Sequence, residues 1–201
     1  MADPIEREVK LKVDDASQAR VLLLQAGYRE SRAREFEANI LFDTPDQELR
    51  RDSMLLRLRQ FGETGFVTWK GPPVPGPHKQ RPELETSVGS IKILGDILPH
   101  LGYCPTFRYE KFRTEFTDGR HLGIVVLDET PIGAFLELEG DGGWIDETAS
   151  RLGRSPREYI LDSYVALYMK ECERLGMEPG QMVFSSSSEC DGRTAISSPC
   201  I

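Results

Sequence analysis

The sequence predicts an α+β fold in which antiparallel strands close into a barrel with a charged interior and helices pack outside. The first observation is that five stretches set charged residues two apart around an apolar one: Glu6-Arg7-Glu8-Val9-Lys10-Leu11-Lys12, Arg57-Leu58-Arg59, Glu83-Leu84-Glu85, Lys111-Phe112-Arg113 and Glu137-Leu138-Glu139. A strand turns alternate side chains to opposite faces, so each charged pair points one way. The second is that the alternate positions, among them Val9, Leu11, Leu56, Leu58, Leu84, Phe112, Leu136 and Leu138, are apolar and face the other way, as a sheet covered by helices requires. The third is that acids and bases segregate by strand, with Arg57 paired with Arg59. One such pair is the ordinary solvated face of an antiparallel sheet. Five of them, with paired arginines suited to bidentate phosphate contact, read instead as the lining of a tunnel. Such a lining suits a polyanion carried with divalent metal.

Composition sets the class. With 201 residues the chain is long enough for one domain with a substantial core, expected over residues 1–178, with 179–201 as a disordered tail containing Ser185-Ser186-Ser187-Ser188. An apolar content of 39% with 29% charged residues is that of a soluble globular protein. No run approaches the roughly 18 to 20 apolar residues that span a bilayer, and Met1-Ala2-Asp3-Pro4 does not open a signal peptide, so no membrane partner and a cytoplasmic location are expected. A net charge of −8 argues against a general nucleic-acid binder. Neither a P-loop nor a Rossmann glycine turn is present, so side chains must bind any phosphate. Cys104, Cys172, Cys190 and Cys200 form no CxxC pair and read as reduced thiols.

The elements follow from local chemistry. A first strand over 5–13 ends at Asp14-Asp15, either of which can cap a helix whose buried face is Ala16, Ala19, Leu22, Leu23 and Ala26 and which stops at Gly27. A long strand over 29–42 breaks at the turn Asp43-Thr44-Pro45-Asp46. Strands over 55–61 and 65–70 form a hairpin through Gly62-Glu63-Thr64-Gly65. The proline-rich stretch 71–82 is predicted as a surface loop, followed by a strand over 81–88. A helix over 91–101 ends at Gly102. Strands are expected over 107–117, 122–128 and 134–139, the first two joined at Asp118-Gly119, and helices over 145–152 and 156–175, the latter with Pro156 at its start.

Placed in order, Glu6-x-Glu8-x-Lys10, Leu41-Phe42-Asp43-Thr44, Leu56-Arg57-Leu58-Arg59, Trp69-Lys70-Gly71-Pro72, Arg81-x-Glu83-x-Glu85, Tyr109-Glu110-Lys111-Phe112-Arg113 and Gly133-x-Phe135-x-Glu137-x-Glu139 resemble the CYTH family, also called triphosphate tunnel metalloenzymes. The family includes class IV adenylyl cyclases and thiamine triphosphatases, and the resemblance runs from about residue 5 to 170. It implies a closed eight-stranded antiparallel barrel whose tunnel holds a triphosphate and one or two Mg²⁺ or Mn²⁺ ions. Position by position, Glu6, Glu8, Asp128, Glu137 and Glu139 resemble the metal-side carboxylates. Lys10, Arg57, Arg59, Lys70, Lys111 and Arg113 resemble the phosphate-binding cations, with Arg81 as a further substrate contact and Lys10, Lys70 and Arg113 as catalytic. Ser163-Tyr164-Val165-Ala166-Leu167 resembles the C-terminal helix of the cyclase branch, for which amphipathic packing on the barrel is a sufficient account.

Oxygen ligands fit Mg²⁺ or Mn²⁺, and without a His and Cys cluster zinc is disfavoured. Transfer chemistry on phosphate rests mostly on positioning and charge stabilisation. His78, His100 and His121 are scattered and read as loop or surface residues. The expected activity is a class IV adenylyl cyclase-like conversion of ATP to cyclic AMP and pyrophosphate. Hydrolysis of thiamine triphosphate, inorganic triphosphate or a nucleotide is the alternative, and a non-catalytic polyphosphate binder the third option. The expected partner is a triphosphate-containing small molecule, and a homodimer is left open.

Overall fold

The computed structural model describes residues 4–185. Its strands are β1 (Ile5–Val13), β2 (Arg29–Asp43), β3 (Leu55–Phe61), β4 (Thr64–Lys70), β5 (Lys79–Val88), β6 (Cys104–Thr117), β7 (Gly123–Thr130) and β8 (Gly133–Gly140). Among the described residues these eight close into one barrel in the spatial order β1-β5-β4-β3-β2-β6-β7-β8, every neighbouring pair antiparallel. Closure removes the free edges that an open sheet would expose.

The helices are α1 (Ala16–Gln25), α2 (Glu48–Arg51), α3 (Ile91–Ile97), α4 (Gly142–Arg151) and α5 (Tyr164–Leu175). Asp15 caps α1 by accepting from the Gln18 N–H at 2.7 Å, and Ser163 caps α5 by accepting from the Ala166 N–H at 3.2 Å. Gly27 and Gly102 follow helical segments with φ of 87° and 89°, a region in which other residues are strained. The helices α1 and α4 lay Leu23, Trp144, Ile145 and Ala149 over Val9, Leu11, Val125, Leu127, Leu136 and Leu138. Near α3, Leu58, Phe42 and Leu98 form a second outer cluster. The apolar face of the strands thus points outward under helices, as the alternation predicts. Leu84, 48% exposed, departs from this. Phe112 is covered by the rings of Phe36 and Phe184 at 5.4 and 5.3 Å in place of a helix.

Several boundaries differ from expectation. β5 begins at Lys79, inside the stretch read as a surface loop, because the Pro82 carbonyl still accepts from the Gly71 N–H at 2.8 Å and a proline can therefore stand within this strand. The helix predicted from Pro156 is only a 3-10 turn over Pro156–Glu158, and α5 starts at Tyr164. Between them, Ile160 exchanges backbone hydrogen bonds with Lys10 at 3.0 and 2.9 Å, which a continuous helix would forbid. Residues 179–185, assigned above to the tail, lie on the barrel: Met182 is fully buried and bridges to Tyr109 of β6. The rest of the predicted tail lies outside the described residues. His78 is not a surface residue but 7% exposed, its Nε2 2.9 Å from the Asp146 carboxylate, which also accepts from the Tyr159 hydroxyl at 2.9 Å. Cys172 is a buried free thiol. Cys104 is disulfide-bonded and corrects the expectation of reduced thiols there.

Candidate active site: a charged tunnel

The barrel encloses a cavity of about 340 Å³ whose lining is dominated by the charged residues of the alternating strands. Pairing register explains how. Glu8 lies opposite Glu139 and Lys10 opposite Glu137 across β1 and β8, while Thr68 of β4 lies between Arg57 of β3 and Glu85 of β5. Opposite residues in an antiparallel pair share a face, so each strand delivers its charges to the same interior.

One wall is acidic. Carboxylate oxygens of Glu6, Glu8 and Glu139 lie within 4.8 Å of one another. Burial, reinforced by Glu137, Glu6 and Glu8 and opposed by Arg113, pushes the Glu139 carboxyl up to about 8. The Arg113 guanidinium stands 3.6 Å from Glu139, and the three oxygen donors at this spacing fit a hard divalent cation. Lys70 reaches Glu6 at 2.5 Å, and Lys79 pairs with Glu8. Although burial disfavours its charge, Lys10 and Lys79 together hold the Glu8 carboxyl well below its ordinary range.

The facing wall is cationic. Arg57 approaches Glu85 at 3.4 Å and donates to the Tyr109 hydroxyl at 3.3 Å; Arg59 holds Glu85 at 2.6 Å; and Lys70 also touches Glu83 at 3.1 Å. Burial pushes the Glu83 carboxyl up to about 7, Lys70 opposing and Glu6 adding to it. Lys10 is wedged between Glu8 and Glu137, both at 2.9 Å. Such interleaving offsets most of the cost of burying so many charges.

The structure separates residues that the motifs treat alike. Glu137 lines the cavity, but its two oxygens are taken by Lys10 and Arg113. Asp128 is fully buried away from the carboxylate triad and accepts from Arg113, Lys111 and the Tyr164 hydroxyl, each at 2.8 Å. It anchors the bases of Lys111 and Arg113 rather than facing the triad. Arg81 borders the cavity, yet it donates to the carbonyls of Gly71 at 2.8 Å and Ser53 at 2.6 Å, tying the proline-rich loop to the turn before β3.

Three kinds of site residue escape the sequence reading. Lys79 lies in the proline-rich stretch predicted as a loop, yet it opens β5 and lines the cavity. Glu37 and Asn39 of β2 point inward and are fully buried, although Glu35-Phe36-Glu37 carries the same alternation as the five stretches above. The N-terminal end of α5 does not merely pack on the barrel: Ser163, Tyr164 and Val165 line the cavity, and the Tyr164 ring lies 5.0 and 5.1 Å from the ammonium groups of Lys10 and Lys111.

The CYTH domain model matches residues 4–152. The chain belongs to the CYTH family. It is 30% identical over 135 residues to a protein of Methanocaldococcus jannaschii provisionally named an adenylate cyclase, covering 67% of this chain and 76% of that one. Among solved structures it is similar to a provisionally named adenylate cyclase from Vibrio parahaemolyticus, with a TM-score of 0.72 and 19% identity over 83% of this chain and 98% of the other. A Hippeastrum protein, described as an adenylyl cyclase by provisional assignment with a dominant triphosphatase activity, superposes with a TM-score of 0.61 and 17% identity, covering 87% and 97% of the two chains. These likenesses, below a quarter identity, concern the fold. In this CYTH chain α5 lies beyond the matched residues although its first turn borders the cavity. Among the described residues no helix is long and apolar enough to cross a membrane.

Proposed function

We propose that this CYTH protein is a divalent-metal-dependent enzyme acting on a triphosphate held in the tunnel, with conversion of ATP to cyclic AMP and pyrophosphate as its reaction. The observation that carries this reading is the opposition, in a single cavity, of the Glu6–Glu8–Glu139 triad and the wall of Arg57, Arg59, Lys111 and Arg113. A triphosphate carries about four negative charges at neutral pH, more than any set of lysines and arginines here offers without giving up its carboxylate partners. Glu6, Glu8 and Glu139 are the residues that would hold Mg²⁺ or Mn²⁺, and the ion, when bound, offsets phosphate charge and polarises phosphoryl oxygens.

The chain's own residues then do the positioning. Arg57 and Arg59 exchange Glu85 for phosphate oxygens, and Lys70 and Lys10 meet the polyanion from the β4 and β1 sides. Lys111 and Arg113, braced from behind by Asp128, stabilise charge that grows on the departing pyrophosphate. In the cyclisation the ribose 3′-oxygen bonds to the α-phosphorus as the bond from that phosphorus to the bridging oxygen breaks, pyrophosphate departing and the 3′-hydroxyl proton passing to solvent. Hydrolysis of the terminal phosphate is the second reading, favoured by the dominant triphosphatase activity of the Hippeastrum protein with the same fold. The two differ in which phosphorus faces a nucleophile, not in the tunnel's charge.

The test is incubation of the purified protein with Mg²⁺ or Mn²⁺ and, separately, ATP, thiamine triphosphate and inorganic triphosphate, with products resolved by chromatography. Cyclic AMP with pyrophosphate is the expected result. Orthophosphate without cyclic nucleotide would replace the cyclase reading by the triphosphatase one, and inertness toward all three would remove both.

A further inference from the structure

We propose that Glu37, held by Asn39, is a positioning residue: an internal counter-ion behind the cationic wall that sets how tightly the tunnel grips a triphosphate. This deepens the functional reading above and rests on it. Glu37 lies opposite Lys111 of β6, and Asn39 opposite Arg59 of β3. Glu37 is 0% exposed and is absent from the cavity lining, whereas Arg59, Lys111 and Arg113 all reach the cavity. It therefore acts on substrate only through those cations.

The geometry of its contacts distinguishes it from an ordinary ion pair. Lys111, Arg59 and Arg113 approach the Glu37 oxygens at 3.4, 3.7 and 3.8 Å, and its one hydrogen bond comes from the Asn39 amide at 2.9 Å. Glu37 Oε2 and Asn39 Oδ1 accept no hydrogen bond among the described residues, although both atoms are buried. Asp128, by contrast, accepts from Lys111 and Arg113 at 2.8 Å and fixes their direction. A hydrogen bond is lost beyond about 3.5 Å, while Coulomb attraction falls only as the inverse of distance. Arg59 and Arg113 lie beyond that reach and Lys111 at its edge, its ammonium donating to Asp128 instead, so Glu37 offsets the charge of the wall without a hydrogen bond from any of the three. Although burial opposes its charge, Lys111, Arg113 and Arg59 hold the Glu37 carboxyl down to about 2, so it stays ionised through the working range. A carboxylate that only held the barrel together would instead sit at hydrogen-bond distance from its partners, as Asp128 does.

The experiment is calorimetric titration of the full-length protein with inorganic triphosphate at fixed ionic strength, in saturating Mg²⁺ and separately after EDTA treatment. Glu37→Gln keeps the shape and removes the charge, and it is expected to bind about tenfold tighter or more than the wild type; Glu37→Asp should stay within about threefold. A merely structural role predicts weaker binding or none, not a gain. If the wild type binds and Glu37→Gln binds equally or more weakly, the assignment of Glu37 is overturned while the tunnel reading stands. If the wild type does not bind triphosphate at all, the tunnel reading fails and the proposal with it. Should Glu37→Gln not fold, Asn39→Asp adds one negative charge at the same depth. It is expected to weaken binding about tenfold, and unchanged or tighter binding would overturn the proposal.

Discussion

Glu137 and Glu139 stand two residues apart on one strand and face the same cavity, yet their surroundings give them different work. Glu139 shares its space with Glu6 and Glu8 and keeps its proton, whereas Glu137 is neutralised by Lys10 and Arg113. Glu139→Gln is therefore expected to weaken Mg²⁺ affinity at least tenfold in a calorimetric titration, because it replaces one carboxylate of a set of three by a neutral amide. Glu137→Gln should leave metal affinity within about threefold and lower turnover instead, since it releases two cations from their set directions. Equal effects of the two substitutions on metal binding would contradict this division. At Arg57, truncation to Ala removes a charged donor aimed into the cavity. Triphosphate binding should weaken by about 1.5 to 3 kcal/mol, roughly ten- to hundredfold, read as Kd.

At the scale of elements, the barrel is finished by pieces that are not strands of it. Past Glu8, β1 has run beyond the pairing recorded with β5, and Lys10 takes Ile160 instead. On the other side β6 pairs with β7 only over Phe112–Phe116, and at Tyr109 its edge is taken by Met182. Both patches flank α5 in sequence, so the helix whose first turn lines the cavity is held on either side through backbone hydrogen bonds of the neighbouring segments. Met182 then packs against Phe107, Tyr109, Phe135 and Tyr164. Met182→Ala is expected to cost about 2 to 5 kcal/mol, visible as a lowered denaturation midpoint, and a chain ending at residue 178 should lose at least as much. Tyr164→Phe deletes the hydroxyl that donates to the Asp128 carboxylate and should cost about 1.5 to 3 kcal/mol. An unchanged midpoint in the Met182 variant would mean that this end of the barrel is held otherwise.

Taken as one object, the tunnel separates charge across its width, with acids gathered at β1 and β8 and cations at β3 and β6. On the function proposed above, a proton on Glu139 would compete with metal. The Glu139 carboxyl, pushed up from 4.5 to about 8, binds a proton in the folded protein that an exposed carboxyl would already have released. Its contribution to stability is thus complete below about pH 4.5 and disappears as pH rises through 8. Metal affinity should move in the opposite sense, tightening as pH rises toward 8. At pH 7, Mg²⁺ binding is expected to release about one proton per ion, detected as a buffer-dependent heat in calorimetry with two buffers of different ionisation enthalpy. A heat that is the same in both buffers would show that Glu139 is already ionised.

Alternation is legible in the chain of residues, and with it the outward apolar face and most of the tunnel lining; the closed eight-stranded barrel was implied by the resemblance to the CYTH family. Side-chain direction on a strand is set by parity alone, so Glu6, Glu8, Arg57, Arg59, Lys111, Arg113, Glu137 and Glu139 could be assigned to the interior without any knowledge of their neighbours. Parity says nothing of which charge meets which across the barrel. Only the closed register brought Glu139 to Glu6 and Glu8, sent Glu137 to Lys10, and buried Asp128 beneath Lys111 and Arg113. Likewise, an isolated proline-rich stretch reads as loop, and Lys79 became part of the site only because β5 had β1 to pair with. Tyr164 and Met182 followed the same rule: one read as part of a helix packed on the barrel and the other as tail, and only the cavity and the β6 edge beyond its pairing with β7, which depend on all the strands together, gave them their places.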